Sequence, residues 1–283
     1  MTPETPEGTP GVPAPLKVAV AQMHCVPGDV DANLATIDSL VRLARRGGAG
    51  LVVLPETATT GYFISEQLDR LAEPEDGPTA ERLAALARDA GVHLAVGMAI
   101  QDGAKYYDAQ LLFGPDGTRL ATYRKTHLFA AEREWYAAGD APMVVDTAIG
   151  RIGMTICYDL IFPEYTRRLV DLGADLVINS TNWITDGFQR ETWGWGGTTV
   201  QALAATRALE NGVWLAMANC VGPEWIFESV GHSCVVAPSG KIVASVGDGQ
   251  GMALAEAVFQ SEELDRWKSI ATYLADRRPE LYR

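Results

Sequence analysis

Short, continuously apolar runs alternate along this chain with stretches whose apolar residues recur every third or fourth position. The first run, residues 17–22 (KVAVAQ), reads as a strand, and Leu34, Ile37, Leu40, Val41 and Ala44 then share one face of a helix that Asp29 or Asp31 can cap and Gly47 and Gly48 end. Residues 51–54 (LVVL) are apolar at every position, as in a strand covered on both faces, and they stop at Pro55 and Glu56. Residues 81–90 predict a helix with Leu83, Leu86, Ala87 and Ala90 inward. After Gly91 come strands at 93–100 and 108–114, a turn at 115–117 and a strand toward Tyr123. Ile152, Met154 and Ile156 form a buried strand that runs directly into Cys157, and Pro163 suits the first turn of a helix carrying Tyr165, Leu169 and Leu172 as far as Gly173. Residues 174–183 (ADLVINSTNW) are a further buried strand that breaks into polar residues, followed by a loop rich in Gly and Trp around 193–197. The end of the chain, 264–283, predicts an amphipathic helix and a Pro-containing tail that packs on a partner subunit.

The second half echoes the first. Residues 79–98 and 199–218 share one plan: an alanine-rich helix, a glycine at its end and an apolar strand. The turns Pro115-Asp116-Gly117 and Pro238-Ser239-Gly240 correspond as well. Repeated α-β-β halves predict an α/β fold of four layers, two sheets packed face to face with helices outside, as a single domain over residues 16–283.

Composition narrows the class. With 283 residues, 47% of them hydrophobic, the chain can bury one sizeable core. Its net charge of −13 argues against a nucleic-acid or anionic-membrane surface, which needs clustered Lys and Arg. No uninterrupted apolar stretch is long enough to span a bilayer, and residues 1–15, rich in Pro, Gly, Thr and Glu, lack the start of a signal peptide and predict a disordered leader. Cys25, Cys157, Cys220 and Cys234 lie in separate segments without CxxC spacing, which points to a reducing, cytoplasmic setting. His24, His93, His127 and His232 show no ligand spacing, so no metal is expected, and His127 reads as a structural hydrogen-bonding group.

Three chemical groups share one kind of position. Glu56 follows LVVLP, Lys125 follows the strand ending YR, and Cys157 follows RIGMTI, so each stands at the C-terminal end of a strand, the active edge of an α/β fold. Singly they are a helix cap, a surface cation and a core thiol. Together they specify acyl transfer: a carboxylate takes the thiol proton, and the ammonium favours the thiolate and the oxyanion that its attack creates. A glycosidase pairing Glu56 with Glu132 would leave the lysine and cysteine without a role.

LPETATTGY, YRKTHLF and CYDLIFPE resemble the three signature segments of the nitrilase superfamily of carbon–nitrogen hydrolases, with intervening elements in the same order from Lys17 to Arg283. The resemblance implies an αββα sandwich, Glu56 as general base, Lys125 as oxyanion partner and Cys157 as nucleophile. In EREWYAAG it implies Glu132, rather than Glu134, as a further glutamate that orients the lysine and the substrate. The reaction it implies is cleavage of a non-peptide amide to an acid and ammonia through a thioester, with the backbone N–H of Tyr158 on the oxyanion, no cofactor, a small-molecule substrate and a homodimer or higher homo-oligomer. Nitrile-hydrolysing members carry Trp-Glu after the cysteine, and Tyr158-Asp159 here is similar to amidases. N-carbamoyl amino acid hydrolases often carry an arginine where this chain has Ile161, so that anchor is missing or comes from Arg133 or Arg190. N-carbamoyl hydrolysis, nitrile hydrolysis and a catalytically silent metabolite-binding protein are the alternatives. STNW resembles a pocket segment of aliphatic-type amidases, which implies Asn182 and Trp183 near the acyl group, with Phe188, Trp193 and Trp195 close by.

Overall fold

The computed structural model describes residues 15–282, so the expected leader lies, but for Pro15, outside the described residues. Two six-stranded sheets have matching plans. In the first, Leu16–Gln22, Leu51–Val53 and His93–Asp102 run parallel, Lys105–Phe113 and Arg119–Arg124 continue antiparallel, and Gly251–Ala257 pairs with the other edge of Leu16–Gln22. In the second, Gly150–Ile156, Leu176–Thr181 and Trp214–Asn219 run parallel, Cys234–Val236 and Ile242–Ser245 continue antiparallel, and Met143–Thr147 takes the free edge. The repeat legible in the sequence is therefore a repeat of sheet topology.

Strand periodicity builds the layers, because successive side chains point to opposite faces. Val18, Val20, Leu51 and Val53 join Ile152, Met154, Ile156 and Ile178 in one buried apolar cluster shared by both sheets. The alternate residues Ala19, Ala21, Val52 and Leu54 pack against Ile37, Leu40 and Val41 of the helix Val30–Arg46 and Leu83, Leu86 and Ala87 of the helix Pro78–Ala90. Leu169, Val200, Ala204 and Ala208, from the helices Pro163–Asp171 and Gly197–Asn211, belong to the cluster of the second sheet. The result is the expected α-β-β-α sandwich. Both repeated helices end on a glycine in the left-handed region, Gly91 (φ 63°) and Gly212 (φ 59°), which turns the chain back into a central strand.

Local departures have local causes. Asp29, rather than Asp31, caps the first helix by accepting from the Ala32 amide. The helix expected at Glu81 already starts at Pro78. The Gly- and Trp-rich stretch is preceded by a helix, Gly187–Trp193, because Asp186 and Gln189 cap its start reciprocally and Gly194 (φ 62°) ends it. A small third sheet, Val221–Glu224, Phe227–Val230 and Ile184–Thr185, was not foreseen. The last helix, Glu262–Ile270, begins at the Ser261 cap. Among the described residues no helix is long and apolar enough to cross a membrane.

Candidate active site

Glu56 lies just past Leu51–Val53, in a turn fixed by the neighbouring strand: the Leu54 amide donates to the Ala95 carbonyl and the Gly97 amide to the Pro55 carbonyl. The next residue, Thr57, has φ 45°. Cys157 ends the strand Gly150–Ile156, has φ 43° and opens a single 3₁₀ turn, Cys157–Ile161. A cysteine in the left-handed region is a strained placement, and such strain gathers where a side chain must be presented rather than merely packed. Lys125 follows Arg119–Arg124, its amide held by the Asp108 carbonyl and its own carbonyl by the Gly139 amide.

These ends converge. The Lys125 ammonium, fully buried, lies 2.5 Å from Glu56 Oε1, 2.8 Å from Glu132 Oε1 and 3.2 Å from Asp108 Oδ2. Glu56 is held at its other oxygen by the Asn182 amide at 2.8 Å, so the second half of the chain orients the carboxylate of the first. Glu132 accepts from the Tyr62 hydroxyl at 2.5 Å and from the Phe129 amide at 2.7 Å. Glu134 on the same short helix is exposed, and Glu132 is the glutamate that faces the site.

Asp108 was missed. It is a buried carboxyl inside the strand Lys105–Phe113, and the one acid of that strand was the available signal. Asp159, in the sequence a mere neighbour of the cysteine, ties the cysteine turn to the lysine segment. It accepts from the Ile156 amide at 2.9 Å, the Tyr123 hydroxyl at 2.7 Å, and the His127 amide and Nδ1 at 2.9 and 2.8 Å. His127 thus has the structural role expected of it.

The charges settle accordingly. Burial opposes the Lys125 ammonium, but Glu56, Glu132 and Asp108 together overcome it and raise its pKa well above the ordinary lysine range. Burial pushes Asp108 well up and Glu132 up, against the pull of Lys125. Burial, then Glu56, drives the Cys157 thiol well above its usual pKa, which outweighs the lysine. The thiolate expected from sequence is therefore not the resting form. The carboxylates of Glu56, Asp108 and Glu132 come within 4.8 Å of one another, the spacing of a cation cradle, and Lys125 is the cation that reaches all three.

Above this cluster lies a cavity of about 450 Å³ whose walls include Cys157, Tyr158, Asn182 and Trp183. The three residues expected to bind substrate thus share a cavity with the thiol. The Asn182 side chain is itself fixed, accepting from the Ser229 hydroxyl at 2.6 Å, while its backbone serves Glu56. Ile161 is also in the wall, but neither expected arginine is: Arg133 is exposed and Arg190 pairs with Glu228 outside it. Their places follow from local geometry. Arg133 follows Glu132 on one helical turn and so faces away, and Glu228 on the adjacent hairpin draws off Arg190.

A four-layer fold with a buried thiol, ammonium and carboxylate at its strand ends defines a hydrolase of the thiol-acyl kind. The chain belongs to the carbon–nitrogen hydrolase family, whose model matches residues 17–268. It is 36% identical to a protein named "Hydrolase in pqqF 5'region" from Pseudomonas protegens, over 94% of this chain and 90% of that one. It is 32% identical to an (R)-stereoselective amidase of a Pseudomonas species, over 93% of this chain and 92% of the relative. A solved mutant of the amidase from Nesterenkonia sp. AN1, showing the result of Michael addition of acrylamide at the active-site cysteine, superposes with a TM-score of 0.80 at 28% identity, over 94% of this chain and 98% of that one.

Proposed function

We propose that this protein is a cysteine-dependent amidase that hydrolyses neutral, non-peptide amides to a carboxylic acid and ammonia. The observation that carries this reading is the meeting of Glu56, Lys125 and Glu132 in one buried cluster beside a cavity that Cys157 lines.

Cys157 rests as a thiol. As its sulfur adds to the amide carbon, its proton passes to Glu56, and negative charge grows on the amide oxygen, where Lys125 and the Tyr158 N–H stabilise it. Collapse breaks the C–N bond while Glu56 returns the proton to departing ammonia, leaving a thioester. Glu56 then removes a proton from water attacking the thioester carbonyl, and the sulfur leaves with that proton as the acid departs. Glu132, held by Tyr62 and the Phe129 amide, positions the ammonium. Lys125 supplies the positive charge that this chemistry needs.

Among amide-like substrates, neutral ones fit best. Among the described residues no Lys or Arg lines the cavity, so a substrate carboxylate would enter unpaired, at a cost of several kcal/mol. This disfavours N-carbamoyl amino acids; N-carbamoyl amines are the second reading, because they lack the carboxylate that the apolar Ile161 in the wall leaves without a partner. Residues 16–283 act as one domain in this reading, because Glu56 comes from one half and the Asn182 amide that holds it from the other. The protein is cytoplasmic and homo-oligomeric in the same reading, supported by four buried free cysteines and by exposed apolar residues near the C-terminus.

The test is ammonia release from propionamide, propionitrile and an N-carbamoyl amine. The amide is expected to be the best substrate, and Cys157→Ala to lower its kcat by about a thousandfold or more. Release that survives in the variant would overturn the assignment.

A further inference from the structure

The catalytic cavity continues into a second one. Tyr62, Phe129, Ala130, Ile184 and Phe227 belong to the walls of both, and the second, of about 310 Å³, is bounded beyond them by Phe63, Trp135 and Trp225. Phe63 stacks on Phe227 with ring centroids 5.8 Å apart and planes 3° apart, and Trp225 leans on Phe63 at 6.0 Å. A file of aromatic rings thus leads from the thiol's cavity to a hairpin tip.

That tip is built against the ordinary rules for turns. Glu224 pairs with Phe227, leaving Trp225 and Ile226 as a two-residue turn, and Trp225 has φ 56°. Gly or Asn suits such a position, and a bulky side chain is strained there. The turn also holds two large apolar side chains in solvent, Trp225 79% and Ile226 64% exposed. Neither folding nor solubility explains this, whereas a ring held over the mouth of a cavity does.

We infer that the second cavity is a distal subsite of the amidase, which receives an apolar, aromatic group several atoms from the scissile amide. The substrate class is then neutral ω-arylalkanamides and similar long-chain amides rather than short ones. Stacking on Phe63 and Trp225 supplies the attraction. Among the described residues no Lys or Arg lines either cavity, and the one Asp or Glu in the walls, Glu132, is engaged with Lys125. The inference rests on the amidase reading above, which the Cys157→Ala assay tests separately.

The experiment measures kcat/KM of the full chain on acetamide and on phenylacetamide, 3-phenylpropanamide, 4-phenylbutanamide and 5-phenylpentanamide. A subsite filled progressively should raise kcat/KM by about three- to fourfold for each added methylene. Trp225→Gly removes the ring and suits the turn's backbone, so its melting temperature should not fall. It should lower kcat/KM for 4-phenylbutanamide about tenfold more than for acetamide, and Trp225→Phe should restore most of that difference. A flat series, or one with the same slope in Trp225→Gly, would overturn the inference while leaving the amidase reading intact. Equal losses on short and long amides, together with a change in sedimentation coefficient, would also overturn it, marking the tip as an interface between copies of the chain.

Discussion

Lys125 is the side chain whose loss the molecule should tolerate least. Its ammonium is the common partner of three buried carboxyls, and replacing it with Met keeps the volume while leaving Glu56, Glu132 and Asp108 without a cation. Removing one partner from a buried ion cluster costs about 3–5 kcal/mol. The cost should depend on pH, because the buried carboxyls then keep protons that the unfolded chain gives up above about pH 4. Lys125→Met should therefore lose most stability at pH 8 and least at pH 5, which urea denaturation at the two pH values checks. Glu224 gives a second test with the same sign. Burial raises its pKa to about 7, against the weaker effect of its contact with Asn182. Between the unfolded carboxyl value of about 4.3 and 7 the folded state holds the proton more tightly, so this residue's contribution to stability falls as pH rises. Glu224→Gln should match the wild type near pH 4 and exceed it at pH 8 by up to about 3 kcal/mol; no gain at pH 8 would place the ionised carboxylate in a better-solvated setting.

At the scale of elements, the catalytic carboxylate depends on how closely two neighbouring strands approach. A Cβ on Gly97 would lie 2.4 Å from the Pro55 oxygen, 2.5 Å from the Thr57 nitrogen and 2.6 Å from the Glu56 Cα, all backbone atoms that have little room to move. Gly97→Ala should cost roughly 1–3 kcal/mol of stability and, by displacing Glu56, lower kcat more than it changes KM. Gly187→Ala, which meets nothing within 4 Å, is the control. Such approaches also mark the limit of what the chain's pattern discloses. Glu56, Lys125 and Cys157 were legible because each follows an apolar strand, and a strand's end is a place that periodicity can find. Asp108 was not, because whether an acid within a strand meets a cation depends on which strand lies opposite. The helix Gly187–Trp193 was hidden because it runs straight into the glycines and tryptophans of 193–197, although Asp186 and Gln189 spell out its cap. Whether Arg133 could serve as an anchor was open for a related reason: on a helix as short as Glu132–Trp135 the pattern does not say which side faces the cavity.

Across the whole molecule, the surface near the C-terminus sets the remaining question of assembly. Ile270, Leu274, Leu281 and Tyr282 are 74%, 44%, 64% and 68% exposed, a run of apolar side chains that the described residues leave uncovered. A second copy of the chain is the cover that the family resemblance implies. The net charge of −13 works against it, since like-charged copies repel, so association should tighten as salt screens them. Sedimentation velocity should show a species larger than the 30.5 kDa chain, more abundant at high ionic strength. Deleting residues 271–283 should shift it toward the monomer. That deletion also removes Arg277, which pairs at 2.8 Å with Asp171 at the end of the helix that follows the cysteine turn. Because Glu56, Lys125, Glu132 and Cys157 all belong to one chain, the shortened protein should keep most of its kcat even as it dissociates. A shortened protein that sediments as the full chain does would show that this surface is not where copies meet, and one that turns monomeric and loses all turnover would show that assembly holds the cysteine turn in place.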